Sequence, residues 1–217
     1  MGFAFFLITK NWKARRRGGT EMRFDAVSTL VEQLLNPSEF FKGRRDEDWK
    51  PSFVFFVWVT LFLSLATSLA NFLGIESTDF SAAYQSQIAA YNMVKNHLIP
   101  TYGACAYLVE PLLIFVFAIL ILFFLALLLH VTYRLIGGEG SILNGWKAAC
   151  YGTGPCVLGG FLPYISLFAA FYSLAMQFYV GPMTLYRVKE SRALVIFTSF
   201  IAMAFIEMFM FGTTVGW

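Results

Sequence analysis

The sequence predicts an all-α membrane protein. The expected architecture is a polytopic membrane helix bundle with five transmembrane helices, plus amphipathic helices at the N-terminus and in the first outer loop. Three observations predict it. The 217 residues are 58% hydrophobic and only 13% charged, where a soluble domain carries about a quarter charged residues. Five apolar stretches each approach the roughly 20 residues needed to cross a bilayer. Their apolar residues run on continuously rather than alternating, which favours helices over a barrel.

The spans are expected at 53–73, 112–136, 146–162, 164–186 and 193–213. The third and fourth come from one uncharged run, 148–186, which is too long for a single crossing. Pro163 is its natural turning point. Lys and Arg crowd the segment before residue 53, whereas the connection 74–111 carries Lys95 alone. Arg134 and Lys147 flank the next connection, and Arg187, Lys189 and Arg192 fill the last. The positive-inside rule then places the N-terminus in the cytoplasm. Five crossings put the C-terminus on the outer side. The protein is expected to be integral and multi-pass, in the cell membrane if prokaryotic. The basic segment beside the bilayer points to anionic headgroups. Nucleic acid is not expected, because no binding motif accompanies the charges.

Three regions follow: a loosely ordered basic extension (1–21), a cytosolic juxtamembrane segment (22–50) and the membrane domain (51–217). The first ten residues are apolar, but their charges follow the apolar run, unlike those of a signal peptide. Myristoylation of Gly2 calls for Ser or Thr at position 6, which is Phe6 here. Met22 is an alternative start.

In the juxtamembrane segment, Phe24, Val27, Val31, Leu34 and Leu35 repeat at helical spacing, and the helix should end near Asn36-Pro37. Phe40, Phe41, Lys42, Arg44, Arg45 and Trp49 follow. Paired aromatic and basic side chains suit the headgroup level. These six are the candidates for contact with lipid or a partner, and anchoring of the first span is the plainer reading. In the first outer loop, Phe80, Tyr84, Ile88, Tyr91, Val94 and Leu98 form a second stripe that Asp79 is placed to cap.

The turn Gly137-Gly138-Glu139-Gly140-Ser141 lacks the Gly-Lys-Ser/Thr ending of a phosphate loop. It reads as a helix C-cap. In the third span Ala148, Gly152, Cys156 and Gly160 stand four apart, so a neighbouring helix can approach closely. Pro155 should kink that span, and Pro163 should end it. A tightly packed central helix is the favoured reading. The sharper one is a broken helix whose freed carbonyls line an ion or substrate path.

Intramembrane polar groups are costly and therefore informative. Glu207 lies mid-way along the fifth span, with Gln177 at a similar depth in the fourth. A hydrogen bond between them is expected, and a proton- or cation-coupling carboxylate is the alternative. His130 and Arg134 share one face at the inner end of the second span. Three cysteines show no metal-ligand spacing, and Cys150 and Cys156 stand about 240° apart around a helix. Reduced cysteines and no cofactor or metal are expected. No catalytic set appears, so an enzyme is not expected.

Taken in order, Asn36-Pro37…Phe40-Phe41 before the first span, Gly-Gly-x-Gly-Ser after the second, Tyr151…Pro155 in the third and a short basic turn before the last resemble the Yip1 family, of the archaeal and bacterial kind. The resemblance covers roughly residues 31–211. It implies five membrane helices and a cytosolic N-terminus. Eukaryotic members act in vesicle trafficking and bind Rab-type GTPases. The Asp-Leu-x-Gly-Pro motif of many of them is absent from this sequence. The expected function is a membrane adaptor or membrane-organising scaffold with a membrane or cytosolic protein partner. The alternative is a small channel, transporter or lipid conduit using the broken third span and Glu207. Small-residue faces also leave homo-oligomers open. Removing residues 22–50 is expected to abolish partner binding and spare insertion.

Overall fold

The computed structural model describes residues 25–72, 96–97, 99–161 and 166–212. Among them the chain is helical, with turns and no strand. Helix α1 (Ala26–Leu35) starts at Asp25, whose carboxylate accepts from the N–H groups of Val27 and Ser28 at 3.1 and 3.3 Å, a side-chain N-cap. It stops at Asn36 because Pro37 disfavours helical backbone in the residue before it. Pro37 then opens α2 (Pro37–Gly43), at a position where its missing N–H has no helical acceptor to lose. The rest comprises α3 (Trp49–Phe72), α4 (Ala106–Leu135), α5 (Ile142–Gly152), α6 (Cys156–Phe161), α7 (Ser166–Ala175), α8 (Gly181–Leu185) and α9 (Glu190–Gly212). A π turn, Met176–Val180, joins α7 to α8.

Two helices among the described residues, α3 and α4, are long and apolar enough to cross a membrane. Their 24 and 30 residues extend about 36 and 45 Å. Both start earlier than the sequence suggests, at Trp49 and Ala106. Along α4, Leu112, Phe117, Leu120, Ile121 and Phe124 all point outward, as lipid-facing side chains do.

The predicted third span is not one helix. It is divided between α5 and α6 by the turn at Thr153, Gly154 and Pro155, because Pro155 brings no N–H and its ring clashes with the preceding turn. The predicted fourth span is α7, the π turn and α8, and the fifth is α9. The first-loop stripe at 80–94, its cap Asp79 and Leu98 lie outside the described residues, as do Phe24 and Pro163.

Helix α5 is the axis of the packing. It lies against α3, α4, α7, the π turn and α8, and Asn144, Gly145, Lys147, Ala148, Ala149, Cys150, Tyr151 and Gly152 are all buried. Gly145 has to be glycine, because a Cβ there would strike the backbone of α4 at Ala126. Gly181 lets α8 meet Ala148 on one side and the Phe41 ring on the other.

The juxtamembrane segment departs from expectation. Phe40 and Phe41 are not surface side chains open to lipid or a partner. They are 1% and 0% exposed and pack edge-on against the Tyr151 ring, with centroids 5.0 and 6.4 Å away. Helix α2 packs on α8 and the π turn. Residues 25–50 are therefore no detachable arm, since deleting them would strip aromatic side chains from the core. The Phe41→Ala variant should lose about 3–5 kcal/mol of stability, measured by denaturant unfolding in mild detergent. Wild-type unfolding would show that α2 is not seated there.

Candidate functional site: a charged corner beside two broken helices

Two prolines each deprive a carbonyl of its helical donor. Pro155 leaves the end of α5 unfinished. There the Thr153 hydroxyl donates to the Cys150 carbonyl at 2.8 Å, and the Ser173 hydroxyl donates to Gly152 O at 2.6 Å. The Gln33 amide donates to Tyr151 O, which also accepts from Gly154 N–H at 3.0 Å. Gly154 has no side chain because the Gln33 amide lies against it. Pro182, in α8, leaves Phe178 O without a donor, and the Tyr133 hydroxyl supplies one. The broken third span therefore presents occupied carbonyls at Cys150, Tyr151 and Gly152.

Above the break, Arg44 holds a corner together. Its guanidinium donates to Glu47 at 3.2 Å, to Glu32 at 3.4 Å and to the Tyr151 hydroxyl at 3.4 Å. It also lies over the Phe40 ring, 4.3 Å from the centroid. Tyr151 Oη donates to the other Glu47 oxygen at 2.8 Å. The Arg44, Glu32 and Glu47 side chains are only 20%, 27% and 19% exposed, so solvent screens these pairs incompletely. Beside them Lys147, 3% exposed, donates to the carbonyls of Arg44 and Arg45 at 3.3 and 2.8 Å. Arg45 donates to Thr184 O at 2.6 Å. The segment between α2 and α3 is thus bonded to α5 and α8.

The same end of the molecule carries the 136–141 turn, which Arg134 and Lys147 flank, and the basic 186–189 turn. Helix α4 ends in a Schellman motif, with Gly138 N–H to Tyr133 O at 2.8 Å and Gly137 N–H to Arg134 O at 3.1 Å. Gly137 takes φ +86° for it, as the C-cap reading of that turn requires. Glu139 N–H then donates to Tyr186 O at 2.8 Å, Asn144 to Leu185 O at 3.0 Å and Arg192 to Ile136 O at 2.8 Å. The 136–141 and 186–189 turns are therefore on one side.

Of the sequence-predicted residues, Arg44 and Arg45 are committed to internal bonds. Lys42 pairs with Glu39 at 2.9 Å and stays outward, and Trp49 is 40% exposed. Ala148 meets Gly181, and Gly152 meets Gln177. The turn at 153–155 separates these from Cys156 and Gly160, so the four small residues do not form one continuous helical face. Gln177 lies in the π turn and donates to Ser173 Oγ at 3.4 Å. Glu207 is on α9, and its side chain lies outside the described residues. His130 Nδ1 and Tyr186 Oη are 3.1 Å apart, and Arg134 donates to Gly138 O at 3.2 Å. The three cysteines are free. No group of three potential metal ligands occurs among the described residues.

Sequence reasoning passed over Gln33, Glu32, Glu47 and Ser173. A usable signal was present for Gln33. Thr29 and Gln33 are four apart on α1 and both buried, so a polar pair marks the inner face.

A family model described as the Yip1 domain matches residues 31–211. No curated protein and no solved structure matches the chain.

Two substitutions test the corner. Arg44→Ala leaves two carboxylates facing each other and should cost about 1–3 kcal/mol. Ser173→Ala removes the donor to Gly152 O and should cost about the same. Thermal unfolding in detergent reads both. An unchanged midpoint for either would show that its bonds do not hold the fold.

Proposed function

Since this chain belongs to the Yip1-domain family, a family of membrane proteins, we propose that it crosses the bilayer five times and works as a membrane adaptor or scaffold rather than an enzyme. The spans are α3, α4, the α5–α6 pair, the α7–α8 unit and α9. The N-terminus, the 136–141 turn and the 186–189 turn share the cytoplasmic side, following the positive-inside rule.

One observation carries the adaptor reading. The corner from α2 to α3 is fixed to the bundle, through Lys147 and Arg45, yet keeps Lys42, Asp46, Asp48, Trp49 and Lys50 exposed. A rigid, mixed-charge patch with one half-exposed indole suits protein recognition, because preorganised side chains lose little freedom on binding. Arg187 and Lys189, also exposed, add basic groups for a partner or for anionic headgroups. The occupied carbonyls at the third-span break favour this scaffold over a conduit.

The test is a crosslinked pull-down from native membranes in mild detergent, comparing the natural chain with a Lys42→Glu, Trp49→Ala double variant. Both positions are exposed, so the fold should survive. Loss of a specific partner is the expected result. A partner retained at the natural level would remove the corner from the adaptor role. No specific partner in either sample would favour conduction, read by liposome flux with a Glu207→Gln variant.

A further inference from the structure

Helix α1 buries two polar side chains and turns an apolar stripe outward. Its buried residues are Thr29, Leu30 and Gln33, while Val27, Val31 and Leu35 form a stripe at 60%, 38% and 54% exposure. They stand four apart and therefore share a face. In water this stripe would favour burial and the two polar residues would favour exposure. The arrangement fits a helix whose outer face meets hydrocarbon.

Three further observations agree. The first is depth. The Tyr172 hydroxyl donates to Leu34 O at 2.9 Å, and Gln33 reaches Tyr151 O. Tyr151 lies nine residues along α5 from Ile142, about 14 Å from its start. Tyr172 lies thirteen residues before Leu185, about 20 Å from the end of α8. The C-terminal end of α1 thus lies well along α5 and α7 from the 136–141 and 186–189 turns.

The second is the pairing of Ser28, Thr29 and Glu32, as hydrocarbon demands, although Gln33 Oε1 is buried without a partner. Ser28 and Thr29 hydroxyls both donate to Asp25 O, at 3.1 and 2.8 Å. Glu32 is paired with Arg44 at 3.4 Å. The third is contrast with α2, which buries Phe40 and Phe41 but turns Ser38, Glu39 and Lys42 outward. The two helices fold back on each other, since Glu32 meets Arg44. They therefore present one apolar and one polar outer face.

We propose that α1 and α2 form a re-entrant helical hairpin in the leaflet next to the basic turns, with Val27, Val31 and Leu35 against lipid acyl chains and Glu39 and Lys42 at the headgroups or in water. This rests on the membrane reading above, and α4 provides its separate control. The occupant is the acyl region of that leaflet, because the stripe is as apolar as the outward face of α4.

The experiment uses the full chain in phosphatidylcholine liposomes, with Cys105, Cys150 and Cys156 replaced by Ala. Single cysteines at Val31, Leu35, Glu39, Lys42 and Leu120 carry an environment-sensitive fluorophore. Lipids bearing a doxyl group on the acyl chain quench from hydrocarbon, and iodide quenches from water. Expected is loss of emission with doxyl lipid, and not with iodide, at Val31 and Leu35, and the reverse at Glu39 and Lys42. Iodide quenching at Val31 and Leu35, with Leu120 quenched by lipid, would overturn the hairpin alone. Resistance to both quenchers there would mean that protein covers the stripe, and would overturn it too. Iodide quenching at Leu120 would bring down the membrane reading along with it.

Discussion

Hydrocarbon offers a backbone carbonyl no water to bond, and the whole arrangement depends on how this chain meets that constraint. A continuous helix satisfies itself, which is why α3 and α4 can stand with so much apolar surface outward. The α5–α6 and α7–α8 units cannot, because Pro155 and Pro182 each remove a donor. Their carbonyls are bonded instead by Thr153, Gln33, Ser173 and Tyr133. Three of these four donors come from another helix. The interruptions therefore bind the bundle together. A buried hydrogen bond is worth only about 1 kcal/mol net, but leaving its acceptor bare costs more.

This constraint also explains the position of α5. Small residues at Gly145, Ala148 and Gly152 admit α4, α8 and the π turn to close range. Without a hydrophobic force between helices in lipid, close packing and interhelical hydrogen bonds supply the association. The buried Lys147 fits the same logic. Its charge is not paired with a carboxylate in this structure but is spent on two carbonyls of the α2–α3 corner. It thereby fixes a segment that carries polar groups outward.

Much of the helical layout was legible in the sequence. The apolar runs mark α3, α4 and α9, Asn36-Pro37 marks the end of α1, and Pro155 marks the break. The glycine turn after α4 was legible as a C-cap from its residues alone. The juxtamembrane segment was not. Phe40 and Phe41 looked like interface aromatics because they stand beside Lys42, Arg44 and Arg45, yet the rings go inward and Arg44 covers one of them. Val27, Val31 and Leu35 were legible as an apolar stripe at helical spacing, but not the side of the protein they face, which is outward. Rules that equate apolar with inside presume water on the other side, and they reverse when the surroundings are themselves apolar. The charged corner was illegible for a different reason. Arg44, Glu32, Glu47 and Tyr151 are brought together only by the α1–α2 fold and by α5, and no local spacing links residue 44 to residue 151.

The bonds across the breaks also impose an order of assembly. Gln33 and Arg45 are synthesised before α3, whereas their acceptors, Tyr151 O and Thr184 O, belong to α5 and α8. Tyr172, which holds Leu34, comes from α7. Helices α1 and α2 therefore cannot complete these contacts until α5, α7 and α8 have been made. During that interval Phe40, Phe41 and the Gln33 amide lack their contacts with Tyr151. Until α8 arrives, an early-made segment is open to capture by whatever assists insertion.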